Sequence, residues 1–242
     1  MEFNDTRQKE EFVHRTFTAI AHRYDLLNTV LSFNQDKYWR RFTARKAGLK
    51  EGGTALDVAC GTGMLSFELA RIVGPTGKVV GVDFCESMLQ KAGENLLKTP
   101  YSGIVEFKWA NAMELPFADN AFDCATMGVA SRNMPDLRRV FKEMARVVRP
   151  GGKVVNLDFS RPTMFGMKQA YNFYLHHLIP LIGKLGVGQD GPYSWLAKSQ
   201  VDFLNQEEFK ALLEEIGLVD VTYYNLTGGV VAVHVGTKVA DR

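Results

Sequence analysis

From Thr54 onward, short runs of β-branched and apolar residues alternate with segments whose apolar residues recur at helical spacing. This alternation is the pattern of repeated strand–helix–strand units, in which parallel strands form a sheet and helices cover its faces. The predicted strands are residues 54–59, 78–83, 104–109, 122–127 and 153–159, and the predicted helices are 64–73, 86–97 and 136–148. Pro150, with two glycines after it, is expected to end the last of these helices. The sequence therefore predicts an α/β fold around a mostly parallel sheet.

The C-terminal part of the chain breaks this alternation. Residues 218–226 and 230–237 are strand-like, and the Thr227-Gly228-Gly229 turn between them favours a hairpin. The prediction is then a seven-stranded, mostly parallel sheet that ends in an antiparallel hairpin. This Rossmann-like arrangement is typical of class I methyltransferases, whereas an ordinary dinucleotide-binding domain lacks the hairpin.

Length and composition limit the remaining organisation. The chain has 242 residues, 46% of them hydrophobic and 23% charged, which is typical of a globular protein and excludes a disordered one. We expect residues 1–242 to form a single domain, with helices in 1–50 laid against the sheet. Residues 160–204 interrupt the alternation and are expected to form a lid-like insertion, because so short a segment rarely builds its own core.

The net charge and the cysteine content of the chain indicate where the protein is located and which partners it binds. A net charge of +2 argues against nucleic-acid binding, and three cysteines without a CxxC pair argue against disulfides or a zinc site. The first residues are too charged for a secretory signal, and no apolar run is long enough to span a bilayer. We therefore expect a cytoplasmic protein.

A glycine loop follows the first predicted strand. Gly61, Thr62 and Gly63 lie between that strand and a helix, where glycines let the backbone turn tightly and approach a ligand closely. Asp83 ends the second strand, 20 positions after Gly63, where a carboxylate can accept both hydroxyls of a ribose.

Two details of this loop favour S-adenosylmethionine over a nicotinamide cofactor. Ser66 replaces the third glycine of the dinucleotide pattern, and Asp57 lies four residues before the first glycine. S-adenosylmethionine needs no pyrophosphate cradle, and its ammonium and sulfonium groups favour nearby acceptors such as Asp57. A tight turn without any ligand is the alternative interpretation.

Other residues of the cofactor site are expected on neighbouring loops. Asn111 and the backbone of Ala112 follow the third strand, where they could hydrogen-bond to the polar edge of adenine. The alternative is a solvated turn. We also expect cofactor contacts from Phe84, Met88 and Gly128.

Nearly the whole chain, from about residue 17 to the hairpin, resembles the ubiquinone/menaquinone biosynthesis C-methyltransferases. The entry Tyr24-Asp25-Leu26-Leu27-Asn28 and the pair Arg132-Asn133 are its most diagnostic motifs, whereas the glycine loop is shared by many methyltransferases. The other matching segments are residues 31–32, Trp39, 57–63, 111–113, 115–117, 146–152 and 226–234.

The resemblance implies methylation of a ring carbon on a prenylated demethylquinol, with demethylmenaquinol favoured as the acceptor. It implies S-adenosylmethionine as donor, S-adenosylhomocysteine as product and no metal. It also implies cofactor contacts at Thr62, Asp83, Asn111 and Ala112.

Three departures from the family pattern concern the substrate side. Asp36 and Asp158 replace the family's usual His and Glu, and residues 128–131 differ from its usual Ser-Phe-Gly-Leu. They leave open a class I methyltransferase that acts on another phenolic or lipid-like acceptor. A cofactor-binding protein without catalytic activity is a further alternative, against which Asp83 and Arg132 argue.

Three residues are candidates for catalysis. A ring carbon becomes a good nucleophile when the neighbouring hydroxyl loses its proton, so the site needs a group that favours the phenolate. Arg132 is the candidate for this electrostatic role, Asn133 could orient the hydroxyl, and Tyr24 could close the pocket or relay a proton. The alternatives are a surface arginine before a helix and a packed aromatic ring.

The acceptor's tail is long and apolar, and two segments could meet it or the membrane. Residues 171–182 are rich in apolar and aromatic side chains, and residues 37–50 carry six basic side chains and no acid. Peripheral contact with the membrane surface is one interpretation, and a packed lid helix with a solvated helix face is the other. A homodimer is a further expectation.

Overall fold

The structure, a computed structural model, describes residues 6–174 and 203–240. Seven strands form one sheet in the order β3-β2-β1-β4-β5-β7-β6. Strands β1 to β5 pair in parallel, and β7 is antiparallel to both β5 and β6. The strands are β1 Thr54–Val58, β2 Lys78–Asp83, β3 Val105–Trp109, β4 Phe122–Gly128, β5 Val148–Phe159, β6 Leu218–Leu226 and β7 Val231–Lys238. The predicted parallel sheet and hairpin are confirmed.

Helices cover both faces of the sheet. They are α1 Thr6–Ile20, α2 Tyr24–Leu31, α3 Gln35–Lys46, α4 Met64–Val73, α5 Glu86–Leu96, α6 Leu137–Val147, α7 Met167–Phe173 and α8 Gln206–Glu215. Asp136 begins α6 by accepting the Arg139 N–H at 3.0 Å, and Asn205 begins α8 with a capping box to Glu208. Of the described residues, no helix is long and apolar enough to cross a membrane.

The core has two layers because the central strands are buried on both faces. Leu69 and Val73 of α4 pack on one face with Val155 and Val233. Phe141 and Met144 of α6 pack on the other face with Phe209 and Leu213 of α8. Apolar residues on both sides of each strand explain the near-continuous apolar runs in the sequence.

The fifth strand begins earlier than predicted. The sequence places its start at residue 153, but β5 begins at Val148, which pairs with Phe122 across a register shift. Helix α6 does end before Pro150, yet the glycines continue the strand instead of reversing the chain. The Arg149 guanidinium donates to Asp123 at 2.8 Å and so ties this segment to the neighbouring strand.

The N-terminal helices lie against the sheet and its helices. Helix α3 packs on α4 and β5, and the indole N–H of Trp39 donates to Thr227 Oγ1 of the hairpin turn at 2.9 Å. Helix α1 packs on α5. Of the predicted insertion 160–204 and the apolar segment 171–182, residues 175–202 lie outside the described residues.

Candidate functional site

The loop after β1 adopts backbone conformations that favour glycine. Gly61 and Gly63 have φ of 54° and 85°. A Cβ on Gly63 would lie 2.5 Å from Phe107, so this glycine lets the β3 side chain pack under the loop. A Cβ on Gly61 would meet only Tyr24, at 4.0 Å, so it would project into open space. The loop therefore leaves room for a ligand at Gly61.

Asp83 connects this loop to the next one. Its carboxylate accepts the Gly61 N–H at 2.8 Å and the Cys85 N–H at 2.9 Å. Burial raises the pKa of Asp83, and these backbone N–H groups oppose that rise. Each carboxylate oxygen retains a lone pair, so Asp83 can still accept hydrogen bonds from a ligand.

Asp57 lies deeper in the same site. It accepts the hydroxyls of Ser66 at 2.6 Å and Thr126 at 2.8 Å. Burial raises its pKa to about 6, and the two hydroxyls and the Arg40 charge oppose the rise. The serine in place of a third glycine thus has a structural role as a donor to Asp57.

Two adjoining cavities surround these carboxylates. The first occupies ≈ 660 Å³ and the second ≈ 780 Å³, in both cases including space open to solvent. The residues that line both cavities are Val13, Ala59, Asp83, Phe84, Asn133 and Met134. Because six residues are shared, the two cavities adjoin along a common wall and are described together as one site.

Most of the residues predicted from sequence line this site. Those on the first cavity are Tyr24, Asp57, Gly61, Thr62, Asp83, Phe84, Met88, Gly128 and Asn133. Those on the second are Asp83, Phe84, Asn111, Ala112 and Asn133. Gly63 and Arg132 line neither cavity. Among the described residues, no group of three or more His, Cys, Asp or Glu side chains could hold a metal ion.

Thr62 is held by a network that the sequence did not indicate. Its hydroxyl donates to Asp25 of α2 at 2.6 Å. Asn95 of α5 donates to the other Asp25 oxygen at 2.9 Å and to the Thr62 carbonyl at 3.3 Å. The Tyr24-Asp25 motif therefore fixes the glycine loop through Asp25, while Tyr24 faces the cavity.

Helix α1 covers the site, which sequence reasoning also missed. Val13 lines both cavities, and Phe17 lines the first and packs edge-on against Tyr24 at 5.8 Å. The Lys9 ammonium donates to the Met134 carbonyl at 2.7 Å, and burial lowers its pKa. No local pattern in the sequence of α1 indicates the contact of Lys9 with Met134, because these residues are 125 positions apart.

Arg132 lies in a buried ion pair beside the site. Its guanidinium is 2.6 Å from Asp158, and both side chains are only 2% exposed. Nη1 also donates to the Val129 carbonyl at 3.2 Å, and the group lies over the Phe159 ring at 5.1 Å. Its Nε has no hydrogen-bond acceptor among the described residues. Arg132 is thus a core residue and not a surface residue before a helix.

Asn133 follows Arg132 in a short 3-10 turn, Ser131–Asn133. The Ser131 hydroxyl donates to Asp158 at 2.6 Å, which fixes the start of this turn. Asn133 then faces both cavities. The turn places a paired cation and an amide next to each other at the edge of the site.

Comparison with known proteins identifies the family. A profile described as the ubiE/COQ5 methyltransferase family matches residues 5–238. The chain belongs to this family.

Curated relatives of this methyltransferase include two bacterial proteins named demethylmenaquinone methyltransferase. One, from Desulfitobacterium hafniense (strain Y51), is 47% identical over 96% of this chain and 92% of its own length. Another, from Bacillus subtilis (strain 168), is 46% identical over 95% of this chain and 98% of its own length.

Solved structures agree on the fold. A SAM-dependent methyltransferase from Aquifex aeolicus has a TM-score of 0.61 and 21% identity, covering 83% of this chain and 89% of that one. A SAM-dependent methyltransferase from Thermotoga maritima, described as a possible histamine N-methyltransferase, has a TM-score of 0.63 and 21% identity, covering 93% and 98%. At this identity the likeness shows the class I methyltransferase fold alone.

Proposed function

We propose that this chain transfers the methyl group of S-adenosylmethionine to a ring carbon of demethylmenaquinol. The observation that carries this proposal is the 46–47% identity to two demethylmenaquinone methyltransferases over nearly the full length of both partners. The two adjoining cavities between the glycine loop, Asp83 and Asn111 support it independently, because they contain the polar groups that such a donor requires.

The residues present fit S-adenosylmethionine. When bound, this cofactor supplies an electrophilic methyl group on a sulfonium and leaves as S-adenosylhomocysteine. Asp83 would accept the ribose hydroxyls, Asn111 and the Ala112 backbone would bond the adenine edge, and Asp57 would attract the cationic end. Open space at Gly61 leaves room for the ligand against the loop. A sulfonium is already activated for displacement, so we propose a reaction without a metal.

The acceptor side requires a group that stabilises a phenolate. Asp158 fixes the Arg132 guanidinium as a buried cation that lies beside the site and lines neither cavity, so its charge acts on the ring oxygen through space. An arginine remains protonated and cannot act as a free base. Arg132 therefore lowers the energy of the oxyanion, and Asn133 orients the hydroxyl from the cavity wall. Tyr24 and Phe17 close the first cavity and exclude water.

Because the quinol has a long apolar tail, we propose that the protein contacts the cytoplasmic surface of a membrane. Leu26, Val30 and Phe33 are exposed at helical spacing along one side of α2 and the turn after it, and Lys37 is exposed beyond them. The basic segment 37–50 is not a uniform solvated face, because Arg40, Arg41 and Lys46 have partners within the chain. We propose peripheral contact through the apolar stripe. A homodimer and the absence of nucleic-acid binding stay predictions.

The test is transfer of labelled methyl from S-adenosylmethionine to short-tailed demethylmenaquinol, kept reduced, with demethylated benzoquinols and unrelated phenols in parallel. We expect label in the ring of the naphthoquinol. Transfer to an unrelated phenol alone would favour the alternative acceptor that the substrate-side departures at Asp36 and Asp158 leave open. Cofactor binding without transfer to any acceptor would contradict catalysis.

A further inference from the structure

Arg40 is a cation at the wall of the first cavity. It belongs to α3, its side chain is 13% exposed, and it lines the cavity together with Tyr24, Asp57 and Met64. It also borders a second groove that Asp25 and Glu68 line. The sequence grouped it with basic residues facing solvent, but its position is inside the site.

Asp36 holds the Arg40 side chain in this position. One turn earlier on α3, its carboxylate pairs with Arg40 Nη1 and accepts the Ser32 hydroxyl at 3.1 Å. Asp36 is itself buried. Among the described residues, this guanidinium makes no other hydrogen bond, so its Nε and Nη2 donors remain available. A half-buried arginine with unused donors at a cavity wall suits an anionic ligand group.

The charges around the two cavities are complementary to one end of the cofactor. Among the described residues that line them, Arg40 is the only cationic side chain, and Asp57 and Asp83 are the only carboxylates. Asn111 and Asp83 belong to the second cavity, at the end suited to adenosine. Arg40 and Asp57 both lie on the first cavity, away from Asn111, at the end left for the amino-acid part of the ligand. That part carries one ammonium and one carboxylate.

We infer that Arg40 binds the α-carboxylate of S-adenosylmethionine, and that Asp36 is the residue that positions it. Asp57 then faces the ammonium, so an adjacent pair of opposite charges recognises the zwitterion. The Arg40 charge also opposes the rise in the pKa of Asp57, which favours the ionised carboxylate that an ammonium requires. This inference rests on the proposed methyl donor, but it does not depend on the identity of the acceptor.

Calorimetry with two ligands tests the assignment on the full chain. S-adenosylhomocysteine contains the carboxylate, and 5′-methylthioadenosine lacks the whole amino-acid part. Hydrogen bonds between charged groups are stronger than those between neutral groups. We therefore expect Arg40→Gln to weaken the affinity for S-adenosylhomocysteine at least about 10-fold, while the affinity for 5′-methylthioadenosine changes less than about twofold. Decarboxylated S-adenosylmethionine should bind to Arg40→Gln and to the unchanged protein alike.

The matched control is Arg41→Gln, the next residue on the same helix, which is exposed and pairs with Glu68 at 3.1 Å. It should leave both affinities unchanged. Asp36→Asn should weaken S-adenosylhomocysteine less than Arg40→Gln does, and should spare 5′-methylthioadenosine.

Three results would overturn the inference. Unchanged S-adenosylhomocysteine affinity in Arg40→Gln, with a raised KM for the quinol, would place Arg40 at the acceptor. Equal weakening of decarboxylated S-adenosylmethionine would exclude the carboxylate as the group recognised. If Arg40→Gln bound neither ligand, the affinities of Arg40→Lys would be measured instead. Equal weakening of both ligands in Arg40→Lys would indicate that Arg40 has a structural role. Failure of quinol methylation with Arg40-dependent binding intact would contradict the proposed function only.

Discussion

At the scale of single residues, Asp57 combines a cost in stability with the proposed role in binding the cofactor. Its carboxylate is buried and its pKa in the folded state is about 6, against 3.8 ordinarily. Because the pKa of Asp57 is raised in the folded state, its ionised carboxylate lowers the free energy of unfolding of the protein above pH 6. This cost decreases as the pH falls through 6 and disappears below about 4.

Asp57→Asn should therefore be more stable than the unchanged protein at pH 8, by up to about 3 kcal/mol at 1.36 kcal/mol per pKa unit. The gain should shrink towards pH 4.5, and affinity for S-adenosylhomocysteine should fall because the ammonium loses its partner. Urea unfolding at both pH values measures the first effect, and calorimetry measures the second. Asp220→Asn, at an exposed position, is the control. Equal stability at pH 8 would contradict the argument.

Arg132 is expected to act on turnover and not on cofactor affinity, since it lines neither cavity. Arg132→Lys keeps a charge opposite Asp158 but replaces the planar guanidinium that Asp158 and the Val129 carbonyl hold in place. Loss of one donor to a developing oxyanion costs about 100- to 1,000-fold in kcat, and a displaced charge behind the cavity wall should cost less. We expect a decrease of up to about 100-fold with S-adenosylhomocysteine affinity unchanged.

Steady-state kinetics with reduced demethylmenaquinol and calorimetry measure these two quantities. Arg138→Lys, an exposed arginine paired with Glu215, serves as the control. If Arg132→Lys bound the cofactor weakly but kept its turnover once saturated, the oxyanion role would be wrong.

How far the sequence predicts individual residues depends on whether their partners are local. Gly61, Asp83 and Asn111 follow strands, and strand ends of a parallel sheet meet at one edge, so their convergence was predictable. The Arg132–Asp158 pair joins positions 26 residues apart, and Asp25 reaches Thr62 across 37. A single sequence carries no signal for such pairings. It also does not show whether Arg40, in the basic segment 37–50, faces solvent or a cavity.

At the scale of elements, α2 presents the apolar stripe for which a membrane surface is proposed. Leu26 and Phe33 are 64% and 72% exposed. Burial of a large apolar side chain contributes about 1.5–3 kcal/mol. The double variant Leu26→Ser/Phe33→Ser should therefore reduce partitioning onto anionic phospholipid vesicles at least about 10-fold.

Vesicle flotation at low and high salt measures this partitioning. Leu97→Ser is the matched control, because Leu97 is 83% exposed after α5, outside the stripe. No flotation of the unchanged protein at low salt would contradict the membrane proposal. Flotation that survives the double variant would assign the contact to another surface.

Element types were also more predictable than their ends. The helices and strands of the alternating part were confirmed, because their apolar spacing reflects burial against the sheet. The start of β5 at Val148 was missed, since Pro and Gly normally interrupt a strand. Here the segment with Pro150 and the glycines stays in the strand because the pairing with β4 shifts register and because Arg149 contacts Asp123.

At the scale of the whole molecule, one ligand should couple parts of the chain that are far apart in sequence. Val13 of α1 borders both cavities, and Lys9 ties the same helix to the Met134 carbonyl. A ligand that fills both adjoining cavities contacts α1, the glycine loop and the Asn111 loop together. Closure of α1 over it should then limit the rate of release.

S-adenosylhomocysteine should therefore slow amide exchange in residues 8–20, 59–63 and 111–114 at the same ligand concentration. Lys9→Met removes a charged donor to the Met134 and Arg132 carbonyls, worth about 1.5–3 kcal/mol, so it should raise the dissociation rate at least about 10-fold. Exchange in the sheet should not change, and Lys50→Met, at an exposed position, should behave like the unchanged protein. Hydrogen-exchange mass spectrometry and stopped-flow displacement provide the two readouts. Protection of the Asn111 loop without protection of α1 would mean that the helix does not close over the ligand.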